Sequence, residues 1–446
     1  MKTVWNLFVL SQLVINGSEA FQDAKALGRR KAALFGGANN VVLEPSFENK
    51  EAFDSLKVGG CRVHRYNRDG IESETEYVMW YHGRSEEQDK DKTLPPLSTG
   101  RIGRATSKNG LSWEKDTKGS LDADMKGVSL GLNTDSWWGF DTAHVGLGNV
   151  LLPMTTPAIM TEGGVYLMYY MGGSFDETPI GAYTDKEMPA DAMIRGMRMK
   201  IGVAVSQDGT VWGRVEGDDP SGACMVPFDK DDIHAQEMAD STDEKGNPVD
   251  LTEELYCAWP DVVPTIDEDK PENSGFFMFY STMTKNSKEK CIGSAVSSDG
   301  FRWSKRELVL KPTEGTMDDG GCARASVYAN AKYDEDSGAW SDDKGYTMVY
   351  EGVSKDDNKH RIMMAESMDG MKWTKKGVVL DVGEDEDAFD CMGVGSPHIL
   401  RLDDGSQRMY YTGQAADGST TVGIAKCEQG STEWVPEQAS IVFSTV

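Results

Sequence analysis

A short pattern that recurs along this chain constrains its fold more than any other feature. Each copy is an alternating apolar stretch that enters Ser-x-Asp-Gly and leaves through a tryptophan three residues after the glycine. The copies cover residues 201–212, 292–303 and 362–373, with a fourth at 102–113 that has Asn109 in place of the aspartate and a degraded fifth at 422–434. Asp-Gly readily supplies the positive φ that a tight turn between two strands needs. Each copy is therefore predicted to be a β-hairpin.

Two other patterns precede the hairpins and complete a repeating unit. One is an apolar strand that ends near Tyr-x-Gly, and the other is a Phe-Asp pair followed by a short apolar strand. The pair or its equivalent occurs at Phe53-Asp54, Phe140-Asp141, Met317-Asp318 and Phe389-Asp390. Five such units can bury their small sheets only against one another in a ring. We therefore predict an all-β fold, a five-bladed β-propeller with four antiparallel strands per blade, as a single domain over residues 41–446.

The start of this domain has a role in the predicted ring. Residues 41–43 have the pattern of a fourth strand, because they precede the first Phe-Asp pair much as residues 378–380 precede the last. We expect residues 41–43 to lie on the outer side of the last unit, together with the apolar segment 441–443. The ring would then close through its two ends.

The first forty residues are predicted to be targeting sequence. Lys2, an apolar core at 4–15 and the small residues Ser18 and Ala20 predict a signal peptide over residues 1–20, and the core is too short to span a bilayer. Residues 21–40 begin with Phe21 and are basic, which resembles the bipartite presequence of proteins that enter secondary plastids. We expect a plastid location, with secretion or the endomembrane system as the alternative.

The net charge excludes some partners. Lys and Arg number 46 against 73 Asp and Glu, which gives a net charge of −27. A charge of this size repels phosphate backbones and anionic membranes. We predict no nucleic-acid partner and no stable membrane span, and the oligomeric state stays open.

Strand order predicts where chemistry can occur. In an up-and-down sheet, the loop before the innermost strand, the end of the second strand and the start of the third strand share one face, called here the funnel face. The Asp-Gly turns lie on the opposite face. The recurring turn and its tryptophan are therefore predicted to be structural.

The alternating Ala-x-Ser-x-Asp-Gly-x-x-Trp hairpin and the Tyr-x-Gly strand resemble those of the five-bladed arabinanase, invertase and levansucrase group of glycoside hydrolases. That resemblance implies a carbohydrate-active protein with three carboxylates at the starts of the innermost strands, in Asp-Pro-x-Val and Glu-x-Pro motifs. The matching positions here carry no carboxylate; they are Gly60, Leu147, Trp259, Arg324 and Ser396. The catalytic carboxylates are therefore expected elsewhere.

Three other acids are the catalytic candidates. Two carboxylates that flank a glycosidic bond can protonate the leaving oxygen and activate water or attack the sugar. Asp261 and Glu351 are unique to their units, and Glu351 is expected to be the general acid because burial at the rim would raise its pKa. Asp141 is the third candidate, although the recurrence of its Phe-Asp pair also fits a structural role. Asp261 and Glu351 also fit solvated or paired acids.

Basic and aromatic side chains on the same face are the candidates for substrate binding. They are His82, Arg84, Trp137, Trp138, His144, Trp259, Arg324 and His398. The basic groups suit a sugar that bears a carboxylate or phosphate, or they pair with acids of the funnel. The tryptophans offer flat faces to sugar rings, or Trp137 or Trp138 covers the core.

The axial channel is a further candidate site. His398 is expected to line it, and the resemblance implies that calcium can occupy such a channel. One histidine does not make a metal site, and we predict no cofactor.

Two functions from different classes remain open. One is a glycoside hydrolase-like enzyme that hydrolyses or transfers at a glycosidic bond of a carbohydrate ligand. The alternative is a non-catalytic propeller that binds carbohydrate or protein. Two insertions, 174–198 and 217–254, are expected on the funnel face, as walls of a site or as tolerated loops.

Overall fold

The computed structural model describes residues 40–68, 74–85, 100–119, 125–160, 162–239, 251–265 and 274–439. The predicted signal peptide, the basic segment up to residue 39 and the segment 441–443 lie outside these residues. Within them the regular secondary structure is almost entirely β-strand, with one short α-helix, α1 (Ile233–Glu237), and a 3-10 turn at Ile180–Tyr183. No helix in this described part is long and apolar enough to cross a lipid bilayer.

The strands follow one another in groups along the chain. The segment that opens the fold is β1 (Val41–Leu43). The first group consists of β2 (Lys57–Arg68), β3 (Glu74–Arg84), β4 (Arg101–Ser107), β5 (Glu114–Lys115) and β6 (Val128–Leu130). The second consists of β7 (His144–Met154), β8 (Val165–Gly173), a separate hairpin of β9 (Glu177–Pro179) and β10 (Met193–Arg195), β11 (Lys200–Ser206) and β12 (Gly213–Val215).

The later groups are more regular. The third consists of β13 (Glu254–Thr265), β14 (Gly275–Thr284), β15 (Lys290–Ser297) and β16 (Ser304–Leu310). The fourth consists of β17 (Gly321–Asp334), β18 (Ala339–Val353), β19 (His360–Ser367) and β20 (Trp373–Leu380). The fifth consists of β21 (Gly393–Arg401), β22 (Gln407–Gln414), β23 (Thr420–Cys427) and β24 (Val435–Pro436). The main strands of each group pair antiparallel in order, except that β6 pairs with β4, and β8 pairs with β11 past the separate β9–β10 hairpin. One parallel pair, His360 with Gly393, joins the fourth and fifth groups into a nine-stranded sheet.

Side chains link the innermost strands of neighbouring groups. Four polar side chains, from His64, Asn149, Asp261 and His398, each reach the backbone of the next group, and we call them the axial belt. The contacts are His398 Nε2 to the Val63 carbonyl (2.9 Å), His64 Nε2 to the Val150 carbonyl (2.8 Å), Asn149 Nδ2 to the Val262 carbonyl (2.9 Å) and the Val327 amide to Asp261 Oδ2 (2.7 Å). The belt runs from the fifth group through the first, second and third to the fourth, so the last group lies against the first.

The two ends of the fold meet on one strand. β1 pairs antiparallel with β23, Val41 opposite Gly423, and β24 pairs with β23 as well. Val41 packs in the core of the fifth group, while Val42 and Leu43 pack in the core of the first. The prediction that residues 41–43 join the last unit is confirmed.

The recurring turns are built from local hydrogen bonds. In the copy at 297–300, Asp299 Oδ1 accepts the amides of Phe301 and Arg302, and Ser297 Oγ accepts the amide of Gly300. The turn carbonyls accept bonds from aromatic residues of the preceding group: Trp80 Nε1 to Gly209 (2.9 Å), Tyr169 OH to Gly300 (2.9 Å) and Tyr410 OH to Gly110 (2.9 Å). These three turns therefore also fix the packing between two groups.

Replacing Leu43 by Ala tests whether the whole fold depends on β1. Leu43 is buried in the first group's core, so the truncation should lower the free energy of unfolding by about 3 kcal/mol. Urea unfolding followed by tryptophan fluorescence should still show one transition, at lower urea. The control is Val435→Ala on β24, which is exposed and pairs with the same strand. A Leu43→Ala protein as stable as the control would contradict the dependence.

The axial belt predicts a pH dependence of stability. Burial lowers the pKa of His64 to about 4. An unfolded chain takes up a proton at this histidine near pH 6.5, whereas the folded protein does so only near pH 4, so stability falls as the pH falls through that window. His64→Gln keeps a donor for Val150 and should flatten the slope by about 1.4 kcal/mol per pH unit. Urea unfolding from pH 7 to 4.5, with exposed His234→Gln as control, measures it; equal slopes in wild type and His64→Gln would refute this origin.

Candidate active site

Each innermost strand has a β-bulge at the position where the resemblance implies a carboxylate. The register shifts fall between Gly59 and Arg62, Leu147 and Asn149, Ala258 and Asp261, Ala323 and Ser326, and Gly395 and His398. Three residues without the freedom of glycine hold a left-handed backbone there, Trp259 (φ 47°), Arg324 (φ 49°) and Ser396 (φ 47°). Such a backbone costs about 1–3 kcal/mol per residue and occurs preferentially at functional sites. The bulges turn these side chains toward the funnel face.

Side chains from the preceding group cap three of these bulges. The residue after the second-strand tyrosine accepts the bulge amide: Thr412 from Gly60 (2.9 Å), Ser281 from Arg324 (2.7 Å) and Glu351 from Ser396 (3.1 Å). Glu351 therefore brings a carboxylate to a place where two other groups have a hydroxyl. A Cβ at Gly395 would lie 1.9 Å from Glu351 Oε2, so this close approach requires a glycine.

Glu351 is held by two basic side chains. Arg324 Nη1 donates to its two oxygens at 2.7 and 2.9 Å, and His360 Nδ1 lies 2.6 Å from Oε1. Burial alone would raise the pKa of Glu351, but Arg324, and then His360, hold that pKa well below its ordinary value. The expectation that Glu351 is a general acid with a raised pKa is therefore wrong. Glu351 is an ionised carboxylate.

Trp259 and Lys290 extend this site toward the third group. The guanidinium of Arg324 lies over the Trp259 ring, 4.4 Å from its centroid. Burial lowers the pKa of Lys290, and the charges of Glu351 and Arg324 also act on it, in opposite directions. Trp259, Lys290, Arg324, Glu351 and His360 together are the Glu351 cluster. Their contacts show that bulges, second-strand ends and third-strand starts share the funnel face, as predicted.

Two members of the cluster, His360 and Lys290, were not predicted from the sequence. Both stand two residues before the first isoleucine of a hairpin repeat, at the starts of β19 and β15. The equivalent residues of the other groups are uncharged; they are Gly100, Met199 and Thr420. Comparing the repeats at this one position would have identified both residues.

Asp261 belongs to the axial belt. Its Oδ1 accepts from Arg62 Nη2 at 3.1 Å, its Oδ2 accepts the Val327 amide, and the residue is 2% exposed. Burial raises the pKa of Asp261, against the opposing effect of Arg62. Both oxygens are thus used in linking the first, third and fourth groups, and no hydrogen bond joins Asp261 to the Glu351 cluster within the described residues. Arg62 also supplies the cation beside Asp261, where the resemblance implied calcium.

Asp141 occupies a recurring structural position. It accepts from Tyr170 OH at 2.9 Å and pairs with Arg214 Nε at 2.6 Å. The same arrangement of carboxylate, tyrosine and basic side chain recurs as Asp54 with Tyr81 and Lys115, Glu254 with Tyr280 and Lys305, and Asp318 with Tyr350 and Lys375. This recurrence explains the Phe-Asp pairs and favours the structural alternative for Asp141.

The predicted binding residues fall in different places. Trp259 and Arg324 are in the cluster and His398 is in the axial belt, while His82 and Arg84 lie at the end of β3. His144 is fully buried with Nε2 2.9 Å from the Gly196 carbonyl, and burial lowers its pKa to about 4.

Trp137 and Trp138 are exposed to 85% and 54%, with their rings perpendicular, in the loop before β7. They do not cover the core, so that alternative is wrong. The backbone nearby is fixed by a bond from the Phe140 amide to the Ser221 carbonyl, in the connection after β12.

One group of carboxylates has the spacing of a cation site. Ligand oxygens of Asp229, Asp231 and Glu253 come within 4.8 Å of one another. Lys285 Nζ lies 3.1 Å from Asp229 and 3.2 Å from Glu253, and Lys230 Nζ lies 3.6 Å from Glu253, so lysines already pair with two of these carboxylates.

Comparison with known proteins supports the fold. No family model and no curated protein matches the sequence. A glycosyl hydrolase from Bacteroides ovatus shares 14% identity over 92% of this chain and 98% of its own, with a TM-score of 0.52. A structure from work on GH130 enzymes, described as mannoside phosphorylases and hydrolases of β-1,2 mannosidic linkages in Candida mannan, shares 15% over 91% and 96%, with a TM-score of 0.52.

Another glycoside hydrolase shares 17% identity over 96% of this chain and 100% of its own, with a TM-score of 0.51. At such identities the likeness shows the fold alone. The chain has the almost all-β fold of propeller-type glycoside hydrolases.

Replacing Asp141 by Asn tests its structural role. The change leaves Arg214 without its carboxylate, and it should lower the free energy of unfolding by about 2 kcal/mol, less than for a fully buried pair because Arg214 is partly exposed. Urea unfolding measures the loss, and Asp135→Asn, an exposed acid in the same loop, is the control. A variant that has wild-type stability but no longer binds or cleaves a glycan would show that Asp141 has a functional role and not a structural one.

Proposed function

We propose that this chain is a five-bladed β-propeller and a carbohydrate-active protein of the glycosidase type, with the Glu351 cluster as its site. The five groups of strands, packed in chain order with the last against the first, support the blade count. The observation that carries the function is the ionised, buried Glu351 hydrogen-bonded to His360 on the funnel face. In the related fold, carboxylates on this face are expected to perform the hydrolysis.

In this proposal Glu351 and His360 have different chemical roles. Because Glu351 stays ionised, it does not donate the proton that a leaving glycosidic oxygen needs. It accepts from His360 Nδ1, and within the described residues His360 Nε2 has no hydrogen-bond partner. Histidine is the commonest side chain for proton transfer in enzymes. Nε2 would deliver the proton, while Glu351 stabilises the imidazolium and the positive charge that develops on the sugar ring.

Arg324 and Trp259 position these two groups. Arg324 is 14% exposed, and its side chain is fixed between the Trp259 ring and Glu351. The half-buried indole also gives the site an apolar wall, which suits the carbon-bound hydrogens of a sugar ring.

A specific observation favours the second candidate, a non-catalytic carbohydrate-binding propeller. No carboxylate stands at any of the five bulge positions, and the oxygens of Glu351 accept four hydrogen bonds from protein groups. A protein of this kind would bind glycans on an array without cleaving them. Reducing-sugar release from the same glycans therefore distinguishes the two functions.

The substitution Glu351→Gln tests the proposed site. It keeps the shape but removes the charge that pairs with Arg324 and His360, so glycan hydrolysis should fall about 10²- to 10⁴-fold. The free energy of unfolding should also fall by roughly 3 kcal/mol because Arg324 loses its partner. Reducing-sugar release from a panel of oligosaccharides and polysaccharides measures the first effect, and urea unfolding the second.

The matched control is Thr412→Val. It removes the hydroxyl of the fifth group that caps the bulge at Gly60 in the first group, and it should leave hydrolysis intact. His360→Gln separates catalysis from stability because it retains a donor for Glu351 but cannot transfer a proton. Hydrolysis at the wild-type rate in both Glu351→Gln and His360→Gln would exclude this cluster as the active site.

A further inference from the structure

We infer that the ligand of the Glu351 cluster is an anionic glycan, whose carboxylate or ester-linked sulfate or phosphate is bound by Lys290 and Arg324. The inference rests on the proposed function, because it takes the cluster to be a carbohydrate site. It adds the chemical class of the ligand and a residue that recognises it.

The first observation is that hydrogen-bond donors remain open at the cluster. Lys290 Nζ makes no hydrogen bond or ion pair with any described residue. Arg324 uses only Nη1 for both bonds to Glu351, and its Nη2 and Nε have no hydrogen-bond partner in the described part of the chain. Donors on two cations therefore remain available to a ligand on the funnel face.

The second observation is the charge balance. Two cations, Lys290 and Arg324, accompany one carboxylate, Glu351, so the cluster keeps one positive charge even with His360 neutral. The chain as a whole carries 73 acidic against 46 basic residues, and two other lysines that lie close to the core are paired, Lys305 with Glu254 and Lys375 with Asp318. Lys290 is half-buried and burial lowers its pKa, so a ligand with the opposite charge would stabilise its ammonium form.

The third observation is that the fold makes space for this lysine. Lys290 passes over Gly321, where an added Cβ would lie 2.9 Å from the Cβ of Lys290. A larger residue at Gly321 would push the lysine out of its place beside Arg324. The position is therefore shaped around the lysine side chain.

The fourth observation separates a charged sugar from a bare anion. On one side the cluster adjoins apolar side chains, because Trp259 packs against a core of buried residues that includes Met171, Met199 and Met283. An inorganic anion gains nothing from such a wall. A sugar with one charged substituent can place its ring against the indole and its charge against Lys290 and Arg324.

The test uses the full chain and a glycan array that holds uronic-acid, sulfated and phosphorylated oligosaccharides beside their neutral counterparts. Hits are titrated by calorimetry at low and high NaCl, with inorganic phosphate and sulfate as separate ligands. Wild type should bind charged glycans selectively, and Lys290→Gln should bind them roughly 10- to 100-fold more weakly, the range set by one charge-assisted hydrogen bond.

Two further variants complete the design. Lys285→Gln is the matched control, because its ammonium lies in the preceding turn and is already paired with Asp229 and Glu253, so it should bind like wild type. Lys290→Arg keeps the charge and should retain most of the affinity, which excludes misfolding as the cause of a loss in Lys290→Gln.

The outcomes separate this inference from the proposed function. Equal binding of neutral and charged glycans, with no effect of Lys290→Gln, would overturn the anionic class and leave the carbohydrate site intact. Binding of inorganic phosphate or sulfate without any glycan would overturn the inference as well. A folded protein that binds and cleaves no glycan would defeat both.

Discussion

A buried carboxylate, bonded to a tyrosine on the second strand of its group and to a basic side chain on an outer strand, holds most of the groups of this fold together. Asp54, Asp141, Asp318 and Glu254 each make this arrangement, and Asp390 makes its tyrosine bond. A sheet of four short strands has too little core to be stable alone. The buried bonds fix the loop that leads to each innermost strand, and the bulges and the funnel face depend on where that loop delivers the strand.

The bulges are the positions at which this fold can carry functional side chains. In four groups the residue at this position has a left-handed backbone, which only local support can maintain, and a side chain of the preceding group caps three of the bulges. Two caps are hydroxyls, which satisfy the amide and add no charge. Replacing a hydroxyl by the carboxylate of Glu351 attracts Arg324 and His360, and a structural cap becomes the centre of a charged site. One residue type at the cap position thus decides whether a group has a neutral cap or a charged cluster at its bulge.

The hairpins, the repeating unit and the strand formed by residues 41–43 were predictable because they depend on short-range patterns and on the need to bury small sheets. The face of the site was predictable from strand order alone. The electrostatics were not, because the sign of the pKa shift of Glu351 depends on Arg324 and His360, which approach it from a bulge and from the start of another strand. Asp261 could not be placed from sequence either, since its partner Arg62 is 199 residues away.

The pairing of β1 with β23 has a consequence for biosynthesis. The first strand of the described residues has its partner more than 370 residues later, and the carbonyl of Asn40 accepts the amide of Ile424. Contacts between residues so far apart in sequence form late, and they lower the folding rate. Until β23 is made, the apolar side chains of β1 therefore have no partner strand. The first group also lacks its contacts with the fifth group until then. An incomplete chain of this design is exposed to aggregation until its last strands are available, so chaperones before closure matter more for it than for a fold that closes locally.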